Sequence, residues 1–213
     1  MKVKVCGITD KNQMISLPET GADFAGFIFY QDSPRYVLNH LIHDDIRNFS
    51  EISKVGVFVN ASPEEVIYTS KSCRLDFVQL HGEESPDDCR KIAMEVPVIK
   101  AFRIATEEDV FKTVEYEDGV SLFLFDTKAN VYGGTGKKFT WSLMDHYKSS
   151  KPWMLSGGIN ASDTDAILEW IATTNRKNLF ALDINSCFET KPGIKDLELV
   201  KKFISTIKKS FIS

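Results

Sequence analysis

Residues 2–9 read Lys-Val-Lys-Val-Cys-Gly-Ile-Thr, a short alternating run that is typical of a β-strand and the turn after it. The stretch discriminates between two α/β folds. An open, doubly wound nucleotide-binding sheet would place a G-x-G-x-x-G loop directly after its first strand, and residues 6–9 do not supply one. The beginning of the chain therefore favours a closed barrel over the open sheet.

Further runs of the same kind follow, and segments with helical character separate them. The predicted strands are Lys2–Cys6, Asp23–Phe29, Lys54–Val59, Phe77–Leu80, Val98–Phe102, Leu122–Asp126, Trp153–Ser156 and Leu179–Ile184. Alternation of strands with helices is typical of consecutive βαβ units and a parallel sheet. Eight units predict a (β/α)8 TIM barrel that spans residues 1–213 as a single domain, with short connections because the chain is near the lower size limit of this fold.

Two helices have clear sequence signals. Ser62 is followed three residues later by Glu65, which is a capping-box pattern for a helix start. Between Lys195 and Lys209 the apolar residues recur at intervals of three and four. This spacing predicts a helix with one face packed on the sheet and its lysines in water.

Composition and charge exclude several classes of protein. The chain has 26 basic and 30 acidic residues, a formal charge of −4, and no clustered basic face of the kind that binds nucleic acid. Its apolar runs are far shorter than the ~20 residues needed to cross a bilayer, and no signal-peptide core is present. The four cysteines are far apart and no zinc-ligand spacing occurs, so we expect reduced thiols and no metal. We expect a cytoplasmic protein that binds neither nucleic acid nor membrane.

Polar residues collect where the predicted strands end, which is where barrels build their active sites. The strand-end residues Cys6, His81, Asp126 and Asp183 form a candidate constellation. Lys4 shares a strand face with Cys6, and once buried it requires a carboxylate partner. Position alone leaves other interpretations open, because cysteines often pack in cores and a strand-end aspartate often caps the next helix.

Seven segments, taken in order, carry a more specific signal. They are Lys4–Thr9, Ser33–Val37, Val78–Gly82, Phe125–Thr127, Gly133–Lys137, Leu155–Asn160 and Leu182–Asp183. Their order and spacing closely resemble phosphoribosylanthranilate isomerase, a family of single-domain barrels in tryptophan biosynthesis. The resemblance implies an Amadori rearrangement of N-(5-phosphoribosyl)anthranilate to 1-(2-carboxyphenylamino)-1-deoxyribulose 5-phosphate, without cofactor or metal.

The resemblance makes Cys6 the general base and Asp126 the general acid. The acid protonates the furanose ring oxygen, which opens the ring to a Schiff base, and the base then removes the proton from C2 of the sugar. At neutral pH a free cysteine is mostly thiol and a free aspartate is mostly carboxylate, so both groups need help from their surroundings. We expect Lys4 to lower the pKa of Cys6, and burial or a nearby carboxylate, with Asp183 as the candidate, to keep Asp126 protonated.

The same resemblance implies the binding residues for a phosphorylated small-molecule substrate. Arg35 would hold the anthranilate carboxylate, because a planar guanidinium makes a bidentate contact. Phosphate would meet the main chain of Gly157 and Gly158, with a smaller contribution from Ser186. His81 and Asp183 complete the predicted set. The alternatives are a surface arginine, a histidine bonded to backbone, and an ordinary turn in which Asn160 caps a helix.

The chain departs from the family pattern after the eighth strand, where Asn185 and Cys187 replace the usual Ser and Gly. Residues 133–136 are glycine-rich but fail as a P-loop. The resemblance implies a mobile lid there, and a flexible surface loop is the alternative. Two other functions stay open. One is the related barrel isomerase of histidine biosynthesis, against which Cys6 argues because an aspartate is expected there. The other is a barrel that binds phosphorylated sugars without converting them. We expect a monomer or a homodimer.

Overall fold

Eight parallel strands close into a barrel in the computed structural model, which describes residues 1–127, 141–174 and 178–211. The strands are β1 (Lys2–Cys6), β2 (Phe24–Ile28), β3 (Ser53–Phe58), β4 (Phe77–Leu80), β5 (Val98–Ile104), β6 (Leu122–Thr127), β7 (Trp153–Ser156) and β8 (Leu179–Ile184). Each strand pairs with its neighbour in the chain, and β1 closes the ring by pairing with β8. The predicted (β/α)8 fold is confirmed.

The strand boundaries agree with the sequence pattern to within a residue or two. The largest difference is at β5, which continues beyond Phe102 to Ile104. Its extra residues pair with the end of β6, where Ile104 lies opposite Thr127. Partner strands decide where a strand ends, and the pattern of a single strand carries no information about its partners.

Helices surround the barrel on its outer side. In the described residues they are α1 (Lys11–Ser16), α2 (His43–Asn48), α3 (Pro63–Cys73), α4 (Pro86–Ala93), α5 (Glu107–Phe111), α6 (Thr164–Thr174) and α7 (Leu197–Lys209), with short 3-10 turns between some of them. The predicted start of α3 is confirmed, since Ser62 Oγ accepts a hydrogen bond from the Glu65 N–H at 3.2 Å. No helix in the described ranges is long and apolar enough to cross a membrane.

The last predicted helix began too early. Helix α7 begins at Leu197, because the Asp196 carboxylate caps it by accepting from the Leu199 N–H at 2.9 Å. Lys195 belongs instead to a short strand, β10 (Ile194–Lys195), which pairs antiparallel with β9 (Glu189–Lys191). The Lys195 residue is 2% exposed, so the prediction that it lies in water was wrong. The inward face of α7 agrees with its predicted spacing and buries Val200, Phe203, Ile204 and Ile207.

Side chains alternate between the barrel interior and the surrounding helices. In β6, Leu122 and Leu124 point inward, whereas Phe123 and Phe125 pack in the outer core between strands and helices. The inner cluster is apolar and consists of Phe24, Val55, Ile99, Ala101, Leu122, Leu124, Met154 and Ala181. Burying a large apolar side chain contributes about 1.5–3 kcal/mol. Because this apolar cluster fills the barrel interior, polar groups from different strands meet at the C-terminal strand ends.

Candidate active site

A cavity opens at the C-terminal ends of the strands, and polar side chains line most of it. The predicted site residues that line it are Cys6, His81, Asp126, Gly157, Gly158, Asp183 and Ser186. Arg35 is the one predicted residue that is absent from this lining. The barrel thus brings together strand-end residues that are far apart in sequence.

Cys6 ends β1 and lies almost fully buried, 4% exposed, at the base of the cavity. Its partner across the β1–β2 pair is Gly26. A Cβ atom on Gly26 would lie 2.8 Å from Cys6 Sγ, which is closer than van der Waals contact allows. Glycine in β2 therefore makes the space that the thiol occupies. No sequence signal in β1 itself indicated this requirement.

The surroundings of Cys6 act on its thiol in opposite directions. Burial raises the pKa of the Cys6 thiol, and the charge of Asp183 adds to this effect. The ammonium groups of Lys4 and Lys195 lower it, as expected for Lys4, but the pKa remains above its ordinary value. The resting site therefore favours the neutral thiol, while Lys4 acts on the thiol pKa in the predicted direction.

Lys4 is completely buried and has the carboxylate partner that the sequence required. Its Nζ donates to Asp183 Oδ1 at 2.8 Å and to Gln79 Oε1 at 2.9 Å. The second oxygen of Asp183 accepts from Ser156 Oγ at 3.0 Å. Burial alone would lower the pKa of Lys4, but Asp183 and Cys6 together raise it above its ordinary value. Lys4 is therefore a charged ammonium whose charge Asp183 balances.

Asp126 is the penultimate residue of β6, lies at the cavity wall and has His81 as its close neighbour. His81 Nε2 lies 3.3 Å from Asp126 Oδ2, while His81 Nδ1 lies 3.2 Å from Gln79 Nε2. Asp183 has no hydrogen bond to Asp126 among the described residues, and its charge is engaged with Lys4. The histidine ring, rather than the predicted second carboxylate, is thus the group against Asp126. In the part of the chain that the structure describes, the ring nitrogens face side chains and no backbone partner.

Arg35 is held by a carboxylate of the protein. Its Nε donates to Glu189 Oε1 at 2.8 Å and its Nη2 to Glu189 Oε2 at 2.6 Å. Lys195 Nζ donates to the same carboxylate at 2.6 Å and to Asn185 Oδ1 at 2.7 Å. Burial alone would raise the pKa of Glu189, but the two cations together hold it below its ordinary value. One edge of the Arg35 guanidinium is therefore occupied.

The roles of Glu189 and Lys195 were missed by the sequence analysis. Both belong to the β9–β10 hairpin, which turns at Pro192-Gly193. A Pro-Gly pair between short strands is a turn signal, and it was the available indication that Lys195 precedes the helix instead of belonging to it. The contact with Arg35 had no local signal, since Glu189 and Arg35 are 154 residues apart.

The loop after β7 contains two glycines in a backbone conformation that favours glycine. Gly157 and Gly158 have φ values of 97° and 60°, a region that residues with a Cβ atom rarely adopt. The predicted alternative is present in the same loop, because Asn160 Oδ1 accepts from the Ser162 N–H at 3.0 Å and caps a 3-10 turn. The two features are compatible: the glycines border the cavity, and Asn160 anchors the turn behind them.

Three further sequence predictions concern the glycine-rich loop, the cysteines and metal binding. The glycine-rich residues 133–136 lie outside the described residues. All four cysteines, Cys6, Cys73, Cys89 and Cys187, are free thiols. Within the described ranges, no group of three or more His, Cys, Asp or Glu side chains is arranged to hold a metal ion.

Comparison with known proteins identifies the family. The family model for N-(5'-phosphoribosyl)anthranilate (PRA) isomerase matches residues 3–206. The chain belongs to this family. A PRA isomerase of Parabacteroides distasonis is 42% identical over 211 residues, which cover 97% of this chain and 93% of the relative. One of Phocaeicola vulgatus is 37% identical and covers 98% of both chains.

Solved structures of PRA isomerases have the same fold. The crystal structure of the Thermotoga maritima enzyme has a TM-score of 0.81 at 37% identity, covering 98% of this chain and 99% of the other. A phosphoribosyl anthranilate isomerase in complex with reduced 1-(o-carboxyphenylamino)-1-deoxyribulose 5-phosphate has a TM-score of 0.79 at 34% identity, with the same coverage. The chain is accordingly an isomerase enzyme with a TIM-barrel fold.

The two departures from the PRA isomerase pattern have different surroundings. Asn185 lies between β8 and the hairpin, where its Oδ1 accepts a hydrogen bond from Lys195. Cys187 is exposed and borders the cavity near Ser186. The first departure is thus part of the charged cluster around Arg35, while the second lies at the cavity rim.

Proposed function

We propose that this PRA isomerase family member converts N-(5-phosphoribosyl)anthranilate to 1-(2-carboxyphenylamino)-1-deoxyribulose 5-phosphate, with Asp126 as general acid and Cys6 as general base. The observation that supports the proposal most directly is the shared cavity. A carboxylic acid and a thiol from different strands border it together with a glycine loop suited to phosphate. The reaction needs no group beyond these.

Asp126 acts first. Its carboxyl proton passes to the furanose ring oxygen, the bond between that oxygen and C1 breaks, and the anthranilate nitrogen becomes part of a cationic Schiff base. The carboxylate that forms on Asp126 faces the imidazole edge of His81 at 3.3 Å. Proton transfer from a positioned side chain accelerates such steps by about 10²- to 10⁴-fold.

Cys6 acts second: its thiol first releases its proton to solvent, and the thiolate that forms removes the proton from C2 of the opened sugar. The neighbouring cationic Schiff base makes this proton acidic and attracts the thiolate. Lys4 and Lys195 favour the same charged form of the thiol. The enolamine that results tautomerises to the ketone, and the sugar becomes a ketose.

The charged ends of the substrate match the cationic groups around the cavity. We assign the phosphate to the main chain at Gly157 and Gly158, with Ser186 nearby, and the anthranilate carboxylate to Arg35, which Glu189 holds along one guanidinium edge. His81 and Asp183 are assigned to the sugar between them. The proposal places the enzyme in the cytoplasm, acting as a single domain of residues 1–213, as a monomer or homodimer.

The test is turnover of freshly generated phosphoribosylanthranilate, followed by the decrease of its fluorescence. Wild-type protein should turn it over, while Asp126→Asn and Cys6→Ser should lose at least ~100-fold in kcat, since each removes one proton-transfer group. Circular dichroism provides the folding control. Lack of turnover by folded wild type that still binds substrate would favour the non-catalytic barrel, and full activity of either variant would remove that residue from the mechanism.

A further inference from the structure

A continuous chain of polar side chains runs through the barrel from Lys4 to Asp126. Lys4 Nζ lies 2.9 Å from Gln79 Oε1, and Gln79 Nε2 lies 3.2 Å from His81 Nδ1. His81 Nε2 in turn lies 3.3 Å from Asp126 Oδ2. Gln79 is 1% exposed, so bulk water does not compete for its contact with Lys4 or for its contact with His81. Gln79 and His81 are two residues apart at the end of β4, so their side chains point to the same face of the extended chain.

The chemistry at Lys4 fixes the proton positions along this chain. An ammonium group has donors and no acceptor, so the Gln79 atom that faces Lys4 must be its carbonyl oxygen. The Gln79 amide nitrogen then faces His81 and donates to Nδ1. A nitrogen that accepts a hydrogen bond has no proton of its own, so neutral His81 carries its proton on Nε2.

Among the described residues, one carboxylate lies within reach of the Nε2 edge of His81. Nε2 is buried and makes no well-aligned hydrogen bond with any described residue, although Asp126 Oδ2 is 3.3 Å away. A ring that carried its proton on Nδ1 would instead turn a lone pair toward the carboxylate that Asp126 becomes when it releases its proton. Two acceptors would then face each other, which is unfavourable in a partly dry site.

We propose that Gln79 is a positioning residue that holds His81 as the Nε2–H tautomer, so that the imidazole donates to Asp126. The catalytic part of this inference rests on the proposed function, in which Asp126 is the acid. When Asp126 has released its proton to the ring oxygen, the Nε2–H donor meets a full negative charge. Hydrogen bonds to charged acceptors are roughly twice as strong as neutral ones, so the contact strengthens as the proton leaves. His81 itself gives up no proton in this step.

The first experiment determines the tautomer without reference to activity. 15N NMR of protein labelled at histidine, at mildly alkaline pH, distinguishes a protonated ring nitrogen from a bare one, and a His81→Gln sample identifies the His81 signals. Wild type should show a bare Nδ1 and a protonated Nε2. In Gln79→Glu the side chain has only acceptors for His81, so a proton should appear on Nδ1. Gln79→Met, which has neither donor nor acceptor of comparable strength, should show both tautomers.

The outcomes that overturn the tautomer assignment are equally concrete. A protonated Nδ1 with a bare Nε2 in wild type would overturn it, as would a Gln79→Glu spectrum that is identical to wild type. These spectra do not depend on any substrate. Correct spectra in a protein without isomerase turnover would therefore leave the tautomer assignment standing while the proposed function failed.

The second experiment tests the catalytic consequence by separating kcat from KM. Gln79→Glu should lower kcat by about 10- to 100-fold, because a His81 ring without a proton on Nε2 cannot donate to Asp126 during the acid step. Its KM should change little, since the phosphate and carboxylate ends of the substrate are held elsewhere. Gln79→Met should lie between wild type and Gln79→Glu. An unchanged kcat in a Gln79→Glu variant whose tautomer has changed would overturn the positioning role, and so would a change confined to KM.

Discussion

Two clusters of charged and polar side chains, buried or partly buried, surround Cys6, and they are built from different parts of the fold. The strand cluster comes from barrel strands alone and consists of Lys4, Gln79, Ser156 and Asp183. The loop cluster comes from two loops and the β9–β10 hairpin and consists of Arg35, Asn185, Glu189 and Lys195. The thiol pKa responds to cations from both. The pKa of the Cys6 thiol thus depends both on the barrel strands and on the loops and hairpin that connect them.

The clusters also differ in charge. In the strand cluster one ammonium, Lys4, balances one carboxylate, Asp183. In the loop cluster two cations, Arg35 and Lys195, share the single carboxylate of Glu189, which leaves one positive charge in excess. The proposed substrate has two anionic ends. The comparison therefore assigns orientation of the reacting groups mainly to the strands, and attraction of the anionic substrate to the loops.

The largest effect should come from breaking the strand cluster. Lys4→Met leaves the Asp183 carboxylate, 6% exposed, without its ion-pair partner. Losing one partner of a buried ion pair costs about 3–5 kcal/mol of folding free energy, which urea denaturation measures. The double variant Lys4→Met/Asp183→Asn should regain part of this loss. Lys71→Met, which removes an exposed pair with Glu95, should cost less than ~1 kcal/mol. Equal losses of folding free energy for Lys4→Met and Lys71→Met would contradict the claim that the buried pair matters more than the exposed one.

A change next to the thiol should separate catalysis from binding. Gly26→Ala places a Cβ atom 2.8 Å from Cys6 Sγ and 2.9 Å from Cys6 Cα, so the thiol and the backbone that carries it must move. Misplacing a reacting group by about 1 Å can cost on the order of 100-fold, and we expect kcat to fall by that order while KM changes little. The control is Gly119→Ala, where an added Cβ is also tightly packed but contacts Arg90 and Cys89 instead of Cys6. A KM effect in Gly26→Ala that exceeds the kcat effect would show that β2 positions substrate and not the thiol.

The contribution of the loop cluster to the free energy of unfolding should decrease in acid. The folded pKa of Glu189 lies below its ordinary value of 4.5, so its contribution to stability is fully present above that pH and is lost as pH falls through the folded pKa. Glu189→Gln should therefore cost about 1–3 kcal/mol near neutral pH and less in acid, so that the stability curves of variant and wild type converge below pH 4.5. Urea denaturation across this range measures the difference. Parallel curves would mean that Glu189 keeps an ordinary pKa in the fold.

The same contrast explains what the sequence could predict. The pattern of strand ends placed Cys6, His81, Asp126 and Asp183 at one end of the barrel, because this pattern is a local property of the sequence. It also required a carboxylate for buried Lys4, but the choice of Asp183 depends on how β8 pairs with β1, a contact 179 residues apart. For this reason Asp183 was first assigned as a neighbour of Asp126.

The loop cluster was much less accessible to prediction. Arg35 was identified through a resemblance, but its partner Glu189 comes from a hairpin whose position depends on the completed barrel. Lys195 fitted a helical pattern and was assigned to the wrong element, because periodicity does not show where the cap lies. A loop side chain has no fixed facing direction until its neighbours are known, so the contacts of such clusters are the last to follow from sequence.

The smallest effect should come from restoring the family's residue in the loop cluster. Asn185→Ser shortens the side chain, so that it no longer reaches Lys195, which then keeps its 2.6 Å bond to Glu189. Because that charged contact remains, we expect a loss of only about 0.5–1.5 kcal/mol, the contribution of one hydrogen bond, and a KM within about threefold of wild type. Cys187→Gly, which changes an exposed rim residue, is the matched control and should alter stability still less. If Asn185→Ser cost as much as Glu189→Gln, Lys195 would depend on Asn185 as much as on the carboxylate. The loop cluster would then be held by its polar neighbours and not by its single negative charge.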